Sequence, residues 1–301
     1  MKIRLPGRTA ALAAALATAL GLMAAPAVAT TRDADPALWV VRDADTTVYL
    51  FGTVHFLPKD LAWFDDAVAD AFKASDELRM ELLPVDNPAS LAPLIMRLAV
   101  DPNGRTMSQR LSPEDHAAYV KALTEIGLPA SQLEPMEPWF IAIQAASLMY
   151  VKAGFDPKSG AEEILTQAAR KAGKSITAFE TPEQQFTMLD SMPEAEQLAG
   201  VRDLAHRREE GLVLMSKMVD HWARGEPEET GRLMNEDMKD TPETFRILLT
   251  ERNARWATDL KARMERPGVV FVAVGAGHLT GEKSVQALLE KDGLEVERVA
   301  Y

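Results

Sequence analysis

The chain has 301 residues, 33 Lys+Arg against 45 Asp+Glu for a net charge of −12, and no cysteine. That charge repels nucleic acid and anionic lipid headgroups, so neither is expected as a partner. The missing cysteine excludes a disulfide framework, a thiolate metal site, a cysteine nucleophile and a lipid-modified cysteine.

At the start, Lys2, Arg4 and Arg8 precede an Ala/Leu-rich run that ends at Pro26 and the small-residue pattern Ala27-Val28-Ala29. This pattern predicts a secretory signal peptide over residues 1–29, cut after Ala29. The apolar run is shorter than the ~20 residues a membrane span needs. The protein is therefore expected to be periplasmic or secreted, with no membrane insertion after cleavage. Loss of the three basic residues leaves 30 Lys+Arg against 45 Asp+Glu, a net charge of −15 over residues 30–301. No low-complexity linker divides that stretch, which predicts a single domain.

ALWVVRDADTTVYLFGTVH reads as two strands rich in Val and aromatics, joined by an Asp/Ala turn. AWFDDAVADAFKASD follows as an amphipathic helix and ELRMELL as a third strand. From about 86 to 157 the pattern becomes a helical insertion punctuated by proline, with Pro113 and Pro138 at first-turn positions. AEEILTQAARKAGK is a helix ending at Gly173, SITAFE a strand, and TPEQQFTMLDSMP a helix with a Thr cap and a first-turn proline. A helical region extends over about 182 to 265, interrupted near Gly225 and Pro242. Strand GVVFVAVGAG, helix SVQALLEKDG and strand EVERVA close the chain.

Two of these segments match. TVYLFGTVH, a helix and ELRMELL correspond to VVFVAVGAGH, a helix and LEVERVA, and each first strand runs into a Gly-x-x-His frame. The fold expected is α/β: a mixed, partly parallel sheet built from duplicated strand-GxxH-helix-strand units, covered by helices and carrying a large helical insertion. Ligands gather beyond the carboxyl ends of parallel strands. His55, Glu81, Glu180 and His278 fall at strand ends and are thus expected to share one cleft. Two imidazoles with carboxylates suit a divalent ion, with Mn, Co, Zn and Fe not distinguished. The other histidines, His116, His206 and His221, lie in predicted helices among charged residues and read as surface. Along TFRILLTERNARWATDLKARM, Phe245, Leu249, Trp256, Leu260 and Met264 form an apolar stripe with Arg252 and Asn253 inside its arc. A guanidinium there needs a partner, either Glu180 or a substrate carboxylate, unless it snorkels at the stripe's edge.

GTVH, the Glu of RMELL, FETPEQQFTMLDSMP, ERNARWA and VFVAVGAGHLTGEKSVQALLEKDGLEVERV together resemble the TraB/GumN family, which includes the animal TIKI proteins. The resemblance runs from about Leu38 to the C-terminus. It implies a divalent-metal-dependent hydrolase, protease-like, with a peptide or protein substrate. It also implies that His55, Glu81 and His278 match the family's metal-binding or catalytic positions, and that Glu180, Arg252 and Asn253 match further family positions. Phe179 departs from the expected Leu. Because other members are linked to pheromone shutdown in conjugation or to polysaccharide gene clusters, the substrate stays open. Three functions stand: a metallohydrolase with Glu81 or Glu180 as base, a non-enzymatic peptide- or small-molecule-binding protein, and an accessory protein of envelope polysaccharide assembly.

Overall fold

Val, Leu and aromatic side chains run consecutively along the first two strands, so both faces of the sheet they join must be covered. In the computed structural model, which describes residues 31–301, β1 (Leu38–Arg42) runs antiparallel to β2 (Thr46–Thr53), with Val40 opposite Tyr49. The expected leader lies outside the described residues. Asp43 makes the turn between the strands, its Oδ1 accepting from the backbone N–H groups of Asp45 and Thr46.

Helix α1 (Asp66–Ala74) leads to β3 (Glu77–Leu82), and the helical insertion follows, with α2 (Pro113–Ile126) and α3 (Pro138–Lys152) as its longest helices. Next come α4 (Ala161–Ala172), β4 (Ser175–Glu180) and α5 (Pro182–Asp190), the last opened by a capping box between Thr181 and Gln184. Three helices, α6 (Glu194–His206), α7 (Arg208–Ala223) and α8 (Pro227–Asp237), precede α9 (Glu251–Arg263). The chain ends with β5 (Gly268–Gly275), α10 (Val285–Lys291) and β6 (Val296–Arg298).

The six strands form one mixed sheet in the order β4-β3-β5-β2-β1-β6. The first four are parallel, and β1 is antiparallel to both of its neighbours. The duplicated units diverge from the middle of this sheet. From β2 the chain crosses through α1 to β3, with β5 between; from β5 it crosses through α10 to β6, in the opposite direction past β2 and β1. That arrangement leaves the two GxxH strands side by side at the centre, where Val270 to Val274 are all buried, as a parallel sheet covered on both faces requires.

One face of the sheet packs Phe51, Trp63, Phe72, Leu78, Leu165, Trp222 and Phe271; the other packs Val48, Leu50, Trp256, Leu260, Val272 and Leu289. A third core lies within the helices, but it is not confined to the insertion. Leu198, Val201 and Leu204 of α6 join Tyr119, Leu123, Ile141 and Met149 there. The helix expected over the TFRILL stretch is interrupted by a π-helical turn, Arg246–Thr250, ahead of α9. This shifts the phase of the stripe, so Leu249 stays buried while Phe245 is only half-buried. Among the described residues no helix is long and apolar enough to cross a membrane.

Candidate functional site

Strands β2 and β5 pair with Thr53 opposite Gly275, so both Gly-x-x-His frames leave the sheet at one edge. They leave it differently. After Gly275 the chain tightens at once into the 3-10 turn Ala276–Leu279, which leaves His278 only 4% exposed. Gly52 lies beneath that turn, and a Cβ there would come within 3.0 Å of the Ala276 Cα. His55 stands beyond the end of β2, and its side chain is 71% exposed. Strand β3 delivers Glu81 to the same edge, and β4 ends on Glu180. His55, Glu81, Arg252 and His278 line a cleft of about 310 Å³ whose apolar walls include Met188, Met234, Met238, Leu248 and Leu249. A larger groove, about 1030 Å³, lies on the other side of Glu180 among Glu183, Arg246, Arg255 and Asp259. Neither histidine reaches that groove, and its arginines are already paired, Arg246 with Glu243 and Glu251 and Arg255 with Glu180. The smaller cleft is therefore the candidate site.

Arg252 organises it. Nε donates to both Glu180 oxygens at 3.0 and 3.1 Å, and Nη2 donates to Glu180 Oε2 at 2.9 Å and Glu81 Oε2 at 2.5 Å. Nη1 donates to the Leu248 carbonyl at 3.1 Å and to His278 Nε2 at 3.0 Å. A guanidinium has five N–H groups, and all five are engaged. Arg252 thus does not snorkel, its partner is Glu180, and no donor is left for a substrate carboxylate. Glu180 is held by Arg255 as well and meets the cleft only through Arg252.

Asn253 fixes the ring of His278. Its Nδ2 donates to the Lys283 carbonyl at 2.8 Å, which turns Oδ1 toward His278 Nδ1 at 2.5 Å. The ring proton therefore sits on Nδ1, and Nε2 is the accepting nitrogen. Behind the ring lies Trp256, centroids 4.4 Å apart, with Phe179 stacked on Trp256 at 5.0 Å. The aromatic residue at position 179 thus backs the site. Burial lowers the His278 pKa to about 4, so the ring is neutral at pH 7. Burial opposes the charge of Glu81, yet His278, Arg252 and the Gly275 N–H bring its pKa down to about 2. Since His278 is uncharged above about pH 4, at neutrality it is Arg252 and the Gly275 N–H, 2.7 Å from Oε1, that hold the carboxylate.

Glu162 also belongs to the site, although nothing in the residue pattern marks it: an acid in the first turn of a helix is commonplace. Its Oε1 lies 2.8 Å from His55 Nδ1 and accepts from Thr53 Oγ1 at 2.5 Å. The Glu162 charge, with the hydrogen bond, raises the His55 pKa to about 9. The one sequence clue is Gly160, where a Cβ would overlap the carbonyl oxygen of His55. The three remaining histidines stand apart from the cleft, each against a carboxylate: His116 on Glu134, His206 on Asp115 and His221 on Glu226. His206 is exposed as expected, whereas His116 and His221 are half-buried.

The donor set suits a divalent ion in its chemistry: an unprotonated Nε2 on His278, a second imidazole and an ionised carboxylate with no thiolate. Its geometry is not assembled. His278 Nε2 and Glu81 Oε1 are 3.6 Å apart, Arg252 Nη1 occupies that Nε2, and among the described residues no three His, Asp or Glu side chains are grouped to hold an ion.

Known proteins are similar to this chain in sequence. YbaP of Escherichia coli K12, an uncharacterized protein, is 26% identical over 246 residues, covering 80% of this chain and 87% of the relative. Metalloprotease TIKI2 of Danio rerio is 24% identical over 302 residues, covering 83% of this chain and 58% of TIKI2. An uncharacterized protein of Treponema pallidum is 21% identical over 266 residues, 81% of this chain and 77% of the relative. The TraB/PrgY/gumN family model matches residues 37–298, a span that holds both GxxH frames, Glu81, Glu180 and the Arg252–Asn253 pair. The chain belongs to the TraB/PrgY/gumN family.

Proposed function

We propose that this protein is an exported metal-dependent hydrolase of peptide bonds, with His55, His278 and Glu81 as the residues that would hold the ion. The observation that carries the reading is the state of the two rings. Each has its Nδ1 against an oxygen acceptor, Glu162 or Asn253, which leaves Nε2 for a ligand beside an ionised Glu81; on His278 that nitrogen is unprotonated, while on His55, with a pKa of about 9, an ion would displace a proton. The likeness to the metalloprotease TIKI2 supports the choice of reaction.

When bound, a divalent ion supplies Lewis-acid activation of water and of the scissile carbonyl. The chain's own residues do the rest. With Glu180 saturated by two arginines and set back from the cleft, Glu81 would be the ligating carboxylate. Arg252 holds Glu81 ionised and must release His278 Nε2 before that nitrogen can ligate. The methionine and leucine walls receive an apolar part of the substrate and exclude water from the floor. A second reading, a non-enzymatic binding protein, is favoured by one observation: Arg252 Nη1 seated on the nitrogen an ion would need.

The test is cleavage of a peptide library with added Mn, Co or Zn, against chelator and against His55→Ala/His278→Ala. Cleavage lost under both treatments is expected. Cleavage that survives both overturns the metal mechanism, and tight metal-independent peptide binding without turnover selects the second reading.

A further inference from the structure

We propose that Glu162 is the positioning residue for His55: its carboxylate keeps the ring proton on Nδ1 and leaves Nε2 as the nitrogen offered to a ligand or reacting atom. Glu162 Oε1 lies 2.8 Å from His55 Nδ1 and accepts from Thr53 Oγ1 at 2.5 Å. Thr53 is the buried last residue of β2, so the acceptor is anchored to the sheet. Glu162 itself sits in the first turn of α4, where the helix dipole favours a carboxylate. The start of α4 is tied to the same loop, the Ala161 N–H donating to the Val54 carbonyl at 3.0 Å, while Gly160 packs so closely on His55 that no side chain fits.

An exposed imidazole needs none of this for packing. A second feature points the same way: Glu162 Oε2 is buried and has no hydrogen-bond partner among the described residues. A desolvated, unpartnered carboxylate oxygen opposes stability, and such groups call for a functional reason. The reason on the page is the neighbouring ring. At the other histidine, an unrelated element supplies the matching device, Asn253 of α9 on His278 Nδ1. Acceptors of this kind fix the tautomer and raise the basicity of the opposite nitrogen. In its chemistry the inference rests on the metallohydrolase reading, but the tautomer of His55 does not depend on that reading.

The test uses the intact mature protein labelled with 15N, in which long-range proton–nitrogen spectra show which ring nitrogen is protonated and His55→Ala assigns the signals. Spectra are taken above about pH 9, where the His55 ring gives up its second proton, and in the wild type the remaining proton is expected on Nδ1. Glu162→Ala should move it to Nε2, whereas Glu162→Gln, whose amide oxygen still accepts, should retain it. Calorimetric titration with zinc should show an affinity loss of roughly 10- to 100-fold for Glu162→Ala and a smaller one for Glu162→Gln. If Glu162→Ala keeps the proton on Nδ1, the proposal is overturned; if that variant does not fold, Glu162→Asp, too short to reach the ring, is read by the same two outcomes. Absence of zinc binding to the wild type would remove the metal reading and leave the tautomer measurement to decide the role of Glu162.

Discussion

At Arg252 the five N–H donors meet two carboxylates, an imidazole and a carbonyl, and only a planar fork can meet them together. Arg252→Lys keeps the charge but offers three donors, so Glu180 is left buried and short of its partner. Removing one member of a buried pair costs about 3–5 kcal/mol. Denaturant unfolding of Arg252→Lys should show a loss near the lower end, about 3 kcal/mol; a loss under about 1 kcal/mol would mean that the charge alone suffices. The same saturation bears on substrates. Peptides with free and amidated C-termini should be turned over alike, and a preference of roughly tenfold for the free acid, about 1.4 kcal/mol, would reveal a carboxylate anchor elsewhere. Acid should destabilise the fold in two adjoining windows. The His278 pKa lies below its ordinary 6.5, at about 4, so the unfolded chain binds the extra proton and stability falls as pH drops from about 6.5 to 4. The Glu81 pKa lies below its ordinary 4.5, at about 2, so its contribution is present above about 4.5 and lost as pH falls toward 2. His55 has the opposite sign, with stability present below about 6.5 and lost as pH rises through about 9, but solvent around its exposed ring makes that contribution small. Unfolding midpoints measured across these windows check the order, and His278→Asn should remove the upper acid window and narrow the lower one, since charged His278 helps to hold Glu81 ionised in acid.

Among the elements, the contacts at two glycines predict opposite sensitivities. Gly160 has φ −57, open to any residue, so the obstacle to a side chain is space: its Cβ would meet the His55 carbonyl, which is backbone and cannot turn aside. Gly160→Ala should therefore push the start of α4 off the His55 loop, at about 1–3 kcal/mol. At Gly277 a Cβ would meet the end of the Met234 side chain, which can rotate away, so Gly277→Ala should cost less. Equal thermal shifts for the two variants would contradict this account. The same contrast explains what was legible in the sequence. Strong local signals, such as the Val- and aromatic-rich strands, Pro113 and Pro138 in first turns and the Thr181 cap, reappear in the structure because strand propensity and capping are decided within a few residues. The GxxH frames reach one edge because their strands pair in parallel. The seat of Arg252 on His278, and Glu162 beneath His55, rest on contacts 26 to 109 positions apart in the chain, which no periodicity records. Arg252 could be seen as anomalous on an apolar stripe, but its choice of Glu180 over a substrate is a fact of tertiary packing.

Across the whole molecule, two cores clasp the sheet and a third holds α2, α3 and α6 together. The third core borders a buried ionic cluster. Arg110 reaches Asp101 at 3.2 Å, Glu137 at 2.8 Å and Glu194 at 2.8 Å, with Asp101 fully buried. Such a cluster joins the segment before α2 to the first residues of α6, elements on either side of α4 and β4 in the chain. Arg110→Ala would leave Glu137 desolvated without its cation and Asp101 with Arg105 alone, a loss of about 3 kcal/mol. Because the third core is separate from those on the sheet, the loss should appear as local opening. Amide exchange in α2, α3 and α6 should quicken by roughly a hundredfold or more, as about 3 kcal/mol implies, while β2 and β5 keep their protection. The cleft floor stands on β2, β3 and β5, so His55, Glu81 and His278 should retain their arrangement and the variant its metal affinity. If protection falls equally in β2 and β5, the helices and the sheet open as one cooperative unit, and the separation of their cores has no energetic meaning.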